Sequence, residues 1–587
     1  MNLMLSAPTG TGKTASVLYP SLRYVLAEGK RVFYITSKTT QQELVRETVE
    51  LISDQGEDPL TMVLIQAKEK ACINKTFQCH PELCPYIKDY GKRLRSTHIH
   101  QLLAKKIITP RKVKLFGKKE VLCPFELSLD VALHTHLVLG DYNYVFDPNV
   151  FLKRFFDHDK TYDDFVLIID EAHGLYHRGR DYYSPQLALG ELHRLDADIQ
   201  TKSEDIYHSF HNLVAALLTH LEEVVLSVKD KDHALFTPDF SFFDKLKHQV
   251  ESKAQIFYKW RDRHVGSVSR DDPIEKFLSS FLDFYTILSI SEHSKEFRYH
   301  IKNGNDPSVN ILCLDPSRFL NQRIMGFWVT IAVSATLLPI KFYKTVLGLP
   351  PDSTEVLITP SPFPPENRAI IVVPEVSTLF KRRNQEAKKI TDIITNVVGL
   401  SEGNYFAFFP SFAFLAMVHR ELRVAGRKNI LVQHADMSPQ ERTKFLKKLA
   451  TPPKGGYLCL GVMGGIFSEG VDYPGDLLKG VFLVGPGLPS FDFENELVRE
   501  YYERKHEGQG FHYAYIYPGM NRVIQAAGRP IRTMEDVGVV VLIGKRFTRR
   551  DYYQLFPRYW YKLRPDELTL PNYVEGLGYF WEHHKSR

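Results

Sequence analysis

The amino-acid sequence predicts an α/β fold in which two parallel-sheet domains are interrupted by two insertions. An apolar strand, a glycine-rich loop and a helical pattern alternate from the start of the chain, which is typical of a covered parallel sheet. The alternation stops twice, and a second α/β series begins after a proline-rich stretch at residues 360–365. At 587 residues the chain is too long for a single hydrophobic core, because cores stop growing at about 250–300 residues.

The composition is that of an ordinary globular protein with a mildly basic balance. Hydrophobic residues make up 44%, charged residues 25%, and the formal net charge is +6, which is compatible with a nucleic-acid partner without indicating one. No apolar run is long enough to span a bilayer and the start is not leader-like, so we expect a cytoplasmic protein with no membrane partner. Six cysteines are too few for a disulfide scaffold, and clustered cysteines therefore predict metal ligands.

The first domain opens with a strand at Leu3–Ser6, a loop, a helix at about Lys13–Glu28 and a strand at Arg31–Thr36. The pattern breaks at residues 66–125, which hold four cysteines, and resumes with a strand at His136–Asp141 and the apolar strand Phe165–Asp170. Long amphipathic helices follow from about residue 182 to residue 310, with no strand expected among them. A strand at Thr330–Ser334 would return the chain to the first sheet.

The second domain contains the remaining strand patterns, at Ala369–Val373, Asn404–Phe409, Asn429–Gln433, Tyr457–Val462, Gly480–Val484 and Val537–Ile543. We therefore assign residues 1–65, 126–190 and 311–345 to the first domain, 66–125 to a cysteine-bearing insertion, 191–310 to a helical insertion and 346–587 to the second domain.

A phosphate-binding loop lies directly between the first strand and the first helix. Its residues are Ala7, Pro8, Thr9, Gly10, Thr11, Gly12, Lys13 and Thr14. The two glycines let backbone N–H groups turn toward phosphates, and the helix N-terminus adds its positive dipole end. Lys13 would reach the β- and γ-phosphates of a nucleotide, and the Thr14 hydroxyl would ligate Mg²⁺. The context predicts a nucleoside triphosphate site.

An acidic pair, Asp170 and Glu171, follows the apolar strand. Asp170 at the carboxyl end of the strand would hold Mg²⁺, and Glu171 would orient and deprotonate the attacking water. A third block, Gln525-Ala-Ala-Gly-Arg-Pro-Ile-Arg532, places Arg529 and Arg532 three residues apart, which on a helix is one face. We expect Gln525 and the two arginines to serve the reaction, the arginines as arginine fingers, and Gly528 to permit a close approach.

Together these blocks resemble superfamily 2 helicases. The blocks are Ala7–Thr14, Asp170–His173 (DEAH), Ser334–Thr336 (SAT), Gly461–Asp476 and Gln525–Arg532. The last two, with Gly403–Ser411 and Asp141–Pro148, are similar to the XPD/DinG family. The SAT triplet favours the bacterial, DinG-like branch.

The resemblance implies two RecA-like P-loop motor domains, an inserted iron–sulfur domain and an inserted helical arch domain. It implies that Ser468, Glu469, Gly470 and Asp472 couple the nucleotide to the second domain, Gly470 and Asp472 as part of the nucleotide site. Ser334 and Thr336 would link hydrolysis to movement, and segments around Ser37–Thr40 and Phe409–Ser411 would contact the DNA backbone.

Four cysteines form the candidate metal site: Cys72, Cys79, Cys84 and Cys123. Their spacing fits either tetrahedral Zn²⁺ or a 4Fe–4S cluster, since both take four thiolates. The resemblance implies the 4Fe–4S cluster, because the family carries one in this place with its last ligand in a Cys-Pro pair. Cys313 and Cys459 lie in apolar, strand-like contexts and are expected to be core residues.

The cysteine-bearing insertion is rich in lysine and arginine, with histidine and tyrosine between them, as suits single-stranded nucleic acid. A solvated basic surface is the alternative. Tyr142 and Tyr144 either line the channel for the nucleic acid or are buried at the end of a β-strand.

The resemblance implies an ATP-dependent DNA helicase that moves 5′ to 3′ and acts on single-stranded and forked DNA. The expected cofactors are ATP, Mg²⁺ and the cluster; a role in DNA repair, a monomer and, in a bacterium, a nucleoid location are also expected. The alternatives are an RNA helicase or duplex translocase, and a non-catalytic nucleic-acid-binding subunit. The family normally has an adenine-recognising glutamine upstream of the loop, whereas Asn2–Ser6 alone separate Met1 from Ala7. We expect either an earlier translation start or relaxed base selectivity.

Overall fold

The structure, a computed structural model, describes residues 2–55, 60–74, 79, 81, 84–156, 162–228, 231–264, 271–469, 471, 473 and 475–585, without the side chains of residues 55, 476 and 585. Its strands are β1 (Asn2–Ser6), β2 (Arg31–Ile35), β3 (Met62–Leu64), β4 (Ile107–Ile108), β5 (Leu137–Gly140), β6 (Tyr162–Asp170), β7 (Gln186–Ala188), β8 (His233–Leu235), β9 (Phe297–Lys302), β10 (Ser308–Cys313), β11 (Phe327–Ser334), β12 (Thr354–Ile358), β13 (Arg368–Val373), β14 (Tyr405–Phe409), β15 (Ile430–Val432), β16 (Leu458–Val462), β17 (Gly480–Val484) and β18 (Gly538–Ile543).

The α-helices are α1 (Lys13–Glu28), α2 (Thr39–Gln55), α3 (Lys68–Ala71), α4 (Tyr90–Ser96), α5 (His100–Leu103), α6 (Pro110–Lys119), α7 (Pro124–Ala132), α8 (Asn143–Phe146), α9 (Leu175–Tyr182), α10 (Leu189–Gln200), α11 (Asp205–Leu226), α12 (Phe240–Arg263), α13 (Pro273–Ser291), α14 (Ser317–Ile324), α15 (Ile340–Val346), α16 (Arg383–Val398), α17 (Phe412–Val424), α18 (Pro439–Ala450), α19 (Ile466–Glu469), α20 (Phe493–Lys505), α21 (Tyr517–Ala527), α22 (Arg550–Tyr553) and α23 (Tyr573–Lys585). Among the described residues, none of these helices is both long enough and apolar enough to cross a membrane.

The chain forms two compact units. The first unit comprises Met1–Met4, Thr14–Val333 and Lys344–Glu355, and the second unit comprises Leu5–Lys13, Ser334–Tyr343 and Val356–Arg587. An eight-stranded sheet has the order β12-β1-β11-β6-β2-β5-β3-β4. From β11 to β4 all neighbouring strands pair in parallel. The predicted parallel sheet of the first domain is therefore confirmed.

The second unit contains a six-stranded sheet of order β13-β18-β17-β14-β16-β15. Every neighbouring pair in it is parallel. Its strands alternate between two buried faces: Phe406 and Phe408 of β14 pack in one core, while Tyr405, Ala407 and Phe409 pack in the other. Both faces are covered, which explains why these strands read as almost continuous apolar runs.

The insertion between β3 and β5 contains α3 to α7 and the two-residue strand β4, which extends the first sheet next to β3. It carries the four candidate ligand cysteines. Helix α7 begins with Pro124 at its first position, a residue suited to this place because its missing N–H has no partner there anyway.

The insertion between β6 and β11 is mainly helical, and Phe210, Phe243 and Phe277 are among the fully buried residues of its core. The expectation of no strands in it is wrong, since β7, β10, β9 and β8 form an antiparallel four-stranded sheet. Strands β7 and β8 have three residues each, too few for the alternation that identifies a strand in sequence.

Candidate functional site

The phosphate-binding loop joins β1 to α1 and is held by bonds within itself. Gly10 and Gly12 have φ of +82° and +71°, the left-handed region that glycine enters without steric cost. The Lys13 ammonium donates to the carbonyl oxygen of Pro8 at 3.2 Å, and the Thr11 hydroxyl donates to the same oxygen at 2.8 Å. The loop therefore has the glycine-dependent conformation that a phosphate cradle requires.

Within the second unit, the loop packs against the end of helix α21. The Thr9 hydroxyl donates to the carbonyl oxygen of Gly528 at 3.4 Å. A Cβ added at Gly528 would lie 2.9 Å from Thr9 Oγ1, and one added at Gly10 would lie 2.6 Å from the carbonyl oxygen of Arg532. The close approach expected at Gly528 is present, and it is to the phosphate loop.

Arg529 and Arg532 do not lie on one helix face, and that expectation is wrong. Helix α21 ends at Ala527, because Pro530 cannot continue a helix and disfavours the helical conformation at Arg529. The buried guanidinium of Arg529 donates to the carbonyl oxygens of Ser468 (2.8 Å) and Val471 (2.7 Å). Arg529 thus braces the 461–476 block from inside the second unit.

Two further side chains of α21 bind the SAT segment. The Gln525 side-chain amide donates to Thr336 Oγ1 at 3.3 Å. Asn521 donates to the carbonyl oxygen of Thr336 at 2.8 Å and to the Tyr343 hydroxyl. Asn521 and Tyr343 were not identified from the sequence, because a buried polar residue in an apolar helix gives no pattern of its own.

In the first unit, Asp170 ends β6 and Glu171 follows with a φ of +53°. This left-handed conformation is uncommon for a residue with a side chain and costs free energy that its surroundings must offset. The buried Tyr142 hydroxyl donates to the carbonyl oxygen of Glu171 at 3.0 Å and also to that of Asp170. Tyr142 therefore supports the backbone turn that aims Glu171.

The two expected magnesium ligands meet at a buried tyrosine. The hydroxyl of Tyr34 in β2 lies close to the side chains of both Asp170 and Thr14. Its pKa is raised well above the usual value, first by burial and then by the charge of Asp170. Tyr34 stays protonated at any physiological pH and can donate to Asp170.

The carboxylate of Glu171 is engaged on both oxygens. Gln41 Nε2 donates to Glu171 Oε1 at 2.9 Å, and His173 Nδ1 lies 3.3 Å from Glu171 Oε2. Gln41 also accepts from the Thr36 hydroxyl. Gln41 was not identified from the sequence, although it belongs to the first turn of the helix that follows β2, and β2 pairs directly with β6. Residues that follow two neighbouring parallel strands lie at the same edge of the sheet, and this rule could have placed Gln41 near Glu171.

The four candidate ligand cysteines line one small cavity of about 50 Å³, together with Lys68 and Pro124. All four thiols are free, yet within the described part of the chain they are not gathered into a group that could hold a metal ion as it stands. Cys123 is the residue directly before helix α7. Burial raises the pKa of its thiol, while the backbone N–H groups of Glu126 and Phe125 oppose this. An all-thiol donor set around one cavity fits a cluster that binds four sulfurs.

The remaining expectations have mixed outcomes. Tyr142 and Tyr144 are both buried, Tyr142 beneath Asp170 and Glu171. Tyr144 also borders a cavity of about 800 Å³, which is lined as well by Arg46, Lys68 and Phe125. Cys313 and Cys459 are fully buried in β10 and β16, which confirms them as core residues. Gly470 and Asp472 lie outside the described residues.

The comparisons with known proteins agree with the motif series. The DEAD_2 family matches residues 36–192, and the Helicase C-terminal domain family matches residues 394–562. A probable ATP-dependent helicase of Methanocaldococcus jannaschii is 26% identical over 93% of this chain and 89% of its own length. The ATP-dependent DNA helicase DinG of Photobacterium profundum is 33% identical over 38% of this chain and 32% of its own length.

A solved structure of an XPD helicase matches with a TM-score of 0.63 at 19% identity and covers 94% of both chains. At that identity the match concerns the fold, and it confirms the expected arrangement of two RecA-like domains with two insertions. The two family matches lie on the two units that carry the parallel sheets. The chain belongs to the XPD/DinG-type helicase family.

Proposed function

We propose that the protein is an ATP-dependent DNA helicase that moves 5′ to 3′ on single-stranded DNA and unwinds duplex or branched DNA. The observation that carries the proposal is the contact of the phosphate loop with the end of α21 through Thr9 and Gly528. Helix α21 also binds the SAT segment through Gln525. A change in the nucleotide at the phosphate loop therefore reaches helix α21 directly and, through it, the SAT segment. Such a linkage is what a motor needs and a passive binding subunit does not.

In the proposed reaction, Lys13 and the backbone N–H groups of residues 7–14 hold the phosphates. Thr14 and Asp170 would hold Mg²⁺, which neutralises phosphate charge when bound. Glu171 would take the proton of the attacking water, after giving up or sharing the hydrogen bond from Gln41. Arg532 is the candidate arginine finger, since Arg529 already donates to two carbonyl oxygens. We keep Gln525, Gly470 and Asp472 as candidate residues of the nucleotide site.

We further propose that Cys72, Cys79, Cys84 and Cys123 bind a 4Fe–4S cluster. Their shared cavity and the backbone N–H groups near Cys123 support this. The cluster would cross-link the cysteine-bearing insertion, whose helices α3, α4 and α5 have at most one buried residue each. Anaerobically purified protein should be brown and contain iron and sulfide, whereas colourless protein with one equivalent of zinc would refute the assignment.

The six sequence segments assigned above remain our proposed domain layout, with residues 66–125 as the cluster domain and 191–310 as the arch. The 800 Å³ cavity beside Thr39 supports a DNA path along the first domain, because basic and aromatic side chains border it. We propose a cytoplasmic monomer that acts on forked DNA in repair.

The activity is tested by measuring ATP hydrolysis with and without single-stranded DNA. We expect hydrolysis to be DNA-stimulated in the wild type and abolished in Lys13→Ala. Lys30→Ala is the matched control, because that ammonium binds the carbonyl oxygen of Asp163 outside the loop. Strand displacement is then compared on 5′-tailed DNA, 3′-tailed DNA and RNA duplexes. Hydrolysis that ignores DNA, or displacement of RNA alone, would refute the proposal.

A further inference from the structure

Two arginines meet at the carboxyl edge of the second sheet. Arg546 follows β18, and Arg383 opens helix α16 after β13, the strand paired with β18. Both approach the buried Thr378: Arg546 Nη2 donates to Thr378 Oγ1 at 3.1 Å, and Arg383 Nε donates to the Thr378 carbonyl oxygen at 3.4 Å. Arg383 Nη1 also reaches the Ser411 hydroxyl at 3.5 Å, just after β14.

Among the residues that the structure describes, these two guanidinium groups have no negative partner. Within the described ranges, neither one lies at ion-pair distance from a carboxylate, and the buried Nε of Arg546 has no hydrogen-bond partner. Burial lowers the pKa of Arg383, and the charge of Arg546 lowers it further. The pKa of Arg546 is also lowered, mainly by burial. Two like charges kept close together and partly out of water are unfavourable unless an anion binds between them.

The position is one at which open α/β sheets bind ligands. The chain order runs from β14 to β15 and β16 on one side and to β17 and β18 on the other. The crevice outside the carboxyl ends of strands, where the strand order reverses, is the usual ligand site of such sheets. Ser411 and Arg546 lie at this edge.

An exposed aromatic ring adjoins the arginine pair. Phe380 is 81% exposed, and the guanidinium carbon of Arg383 lies 5.5 Å from its ring centroid. The same guanidinium carbon lies 4.9 Å from the ring centroid of Phe414. A large ring left in water beside uncompensated positive charge is the combination that binds a base and its phosphate in single strands.

We infer that Arg383 and Arg546 bind a backbone phosphodiester of single-stranded DNA and that Phe380 stacks on the adjoining base. This rests on the proposed helicase function and adds to it the residues that hold the strand on the second sheet. The phosphate supplies the negative charge that the arginine pair lacks.

The test is equilibrium binding of labelled oligo(dT) between about 50 and 200 mM salt, with wild type, Arg383→Gln, Arg546→Gln and Phe380→Ala. Each arginine variant should bind about tenfold or more weakly, with a log–log salt slope shallower by about 0.7 for the lost contact. Phe380→Ala should weaken binding and leave the slope unchanged. Arg499→Gln is the matched control, because Arg499 already donates to Glu496 at 2.8 Å, and it should match the wild type.

Thermal unfolding without phosphate or DNA separates a binding role from a structural one. Removing one of two like charges should leave the melting temperature of Arg546→Gln unchanged or higher, whereas a purely structural arginine would give a lower one. If both arginine variants have the affinity and the salt slope of the wild type, this inference is wrong, while the proposed helicase function stands. Failure of the wild type to bind oligo(dT) would overturn the proposed function as well. A further outcome is that inorganic phosphate raises the melting temperature of the wild type but not that of Arg546→Gln, while the salt slopes of oligo(dT) binding are the same for both proteins. In that case the site binds free phosphate, and its assignment to a DNA strand is wrong.

Discussion

Replacing Arg529 with alanine should destabilise the second unit as well as reduce hydrolysis. The side chain is 6% exposed and donates to two carbonyl oxygens, at 2.8 and 2.7 Å. A hydrogen bond from a charged donor contributes about 1.5–3 kcal/mol, so the loss of both costs about 3–6 kcal/mol. For a domain of about 150–250 residues each 1 kcal/mol shifts the melting temperature by about 2–4 °C. We therefore expect the transition of the second unit to fall by at least about 6 °C.

Urea and thermal unfolding followed by circular dichroism measure this change. Arg529→Lys should recover part of the loss, since a lysine can replace one of the two donors. Arg532→Ala is the comparison, because the bond of Arg532 to Asp536 uses its backbone N–H and survives the substitution. It should lose hydrolysis with a smaller fall in its unfolding midpoint than Arg529→Ala. Equal midpoints in Arg529→Ala and the wild type would refute the bracing role and restore Arg529 as a candidate finger.

Three other substitutions test the first unit. Gln41→Leu removes the hydrogen bond from Gln41 to Glu171 Oε1, so DNA-free hydrolysis should rise by up to about tenfold, equivalent to 1.4 kcal/mol; a steady-state assay that finds an unchanged or slower rate would contradict this. Tyr142→Phe removes the support of the Glu171 backbone and should lower kcat with little change in KM, at a cost of about 1–2 kcal/mol in urea unfolding; a change in KM alone would argue against it. Cys123→Ser should lose iron and visible absorption after anaerobic purification, and retention of both would exclude that ligand.

Local patterns predicted the sheets well because the central parallel strands, such as β5, β14, β17 and β18, are buried on both faces. The strand at Gly480–Val484 and the helix at Lys13–Glu28 were predicted to the residue. The antiparallel sheet was missed because Phe297–Lys302 mixes charged and apolar residues on a half-buried strand. Burial patterns of this kind depend on which helices cover the sheet, and the strand's own sequence does not contain that information.

The site was predicted in part for a similar reason. Phosphate-loop and acidic residues follow fixed spacings after strands, so sequence identifies them. Gln41, Tyr34 and Asn521 act through partners more than 100 positions away along the chain or on neighbouring strands, and no local spacing records such pairs. Arg529 was assigned to a helix because its distance from Arg532 suits one, although Pro530 between them ends that possibility.

The pairing of β7 with β10 has a consequence for how the helical insertion can vary. Asn310 lies opposite Gln186, and Ser308 opposite Ala188, so the chain enters and leaves through two adjacent antiparallel strands. The segment between β7 and β10 therefore begins and ends at nearly the same place. Lengthening, shortening or exchanging this segment changes no connection within the parallel sheet. The insertion can therefore vary in length and sequence during evolution while the strands of the parallel sheet keep their register.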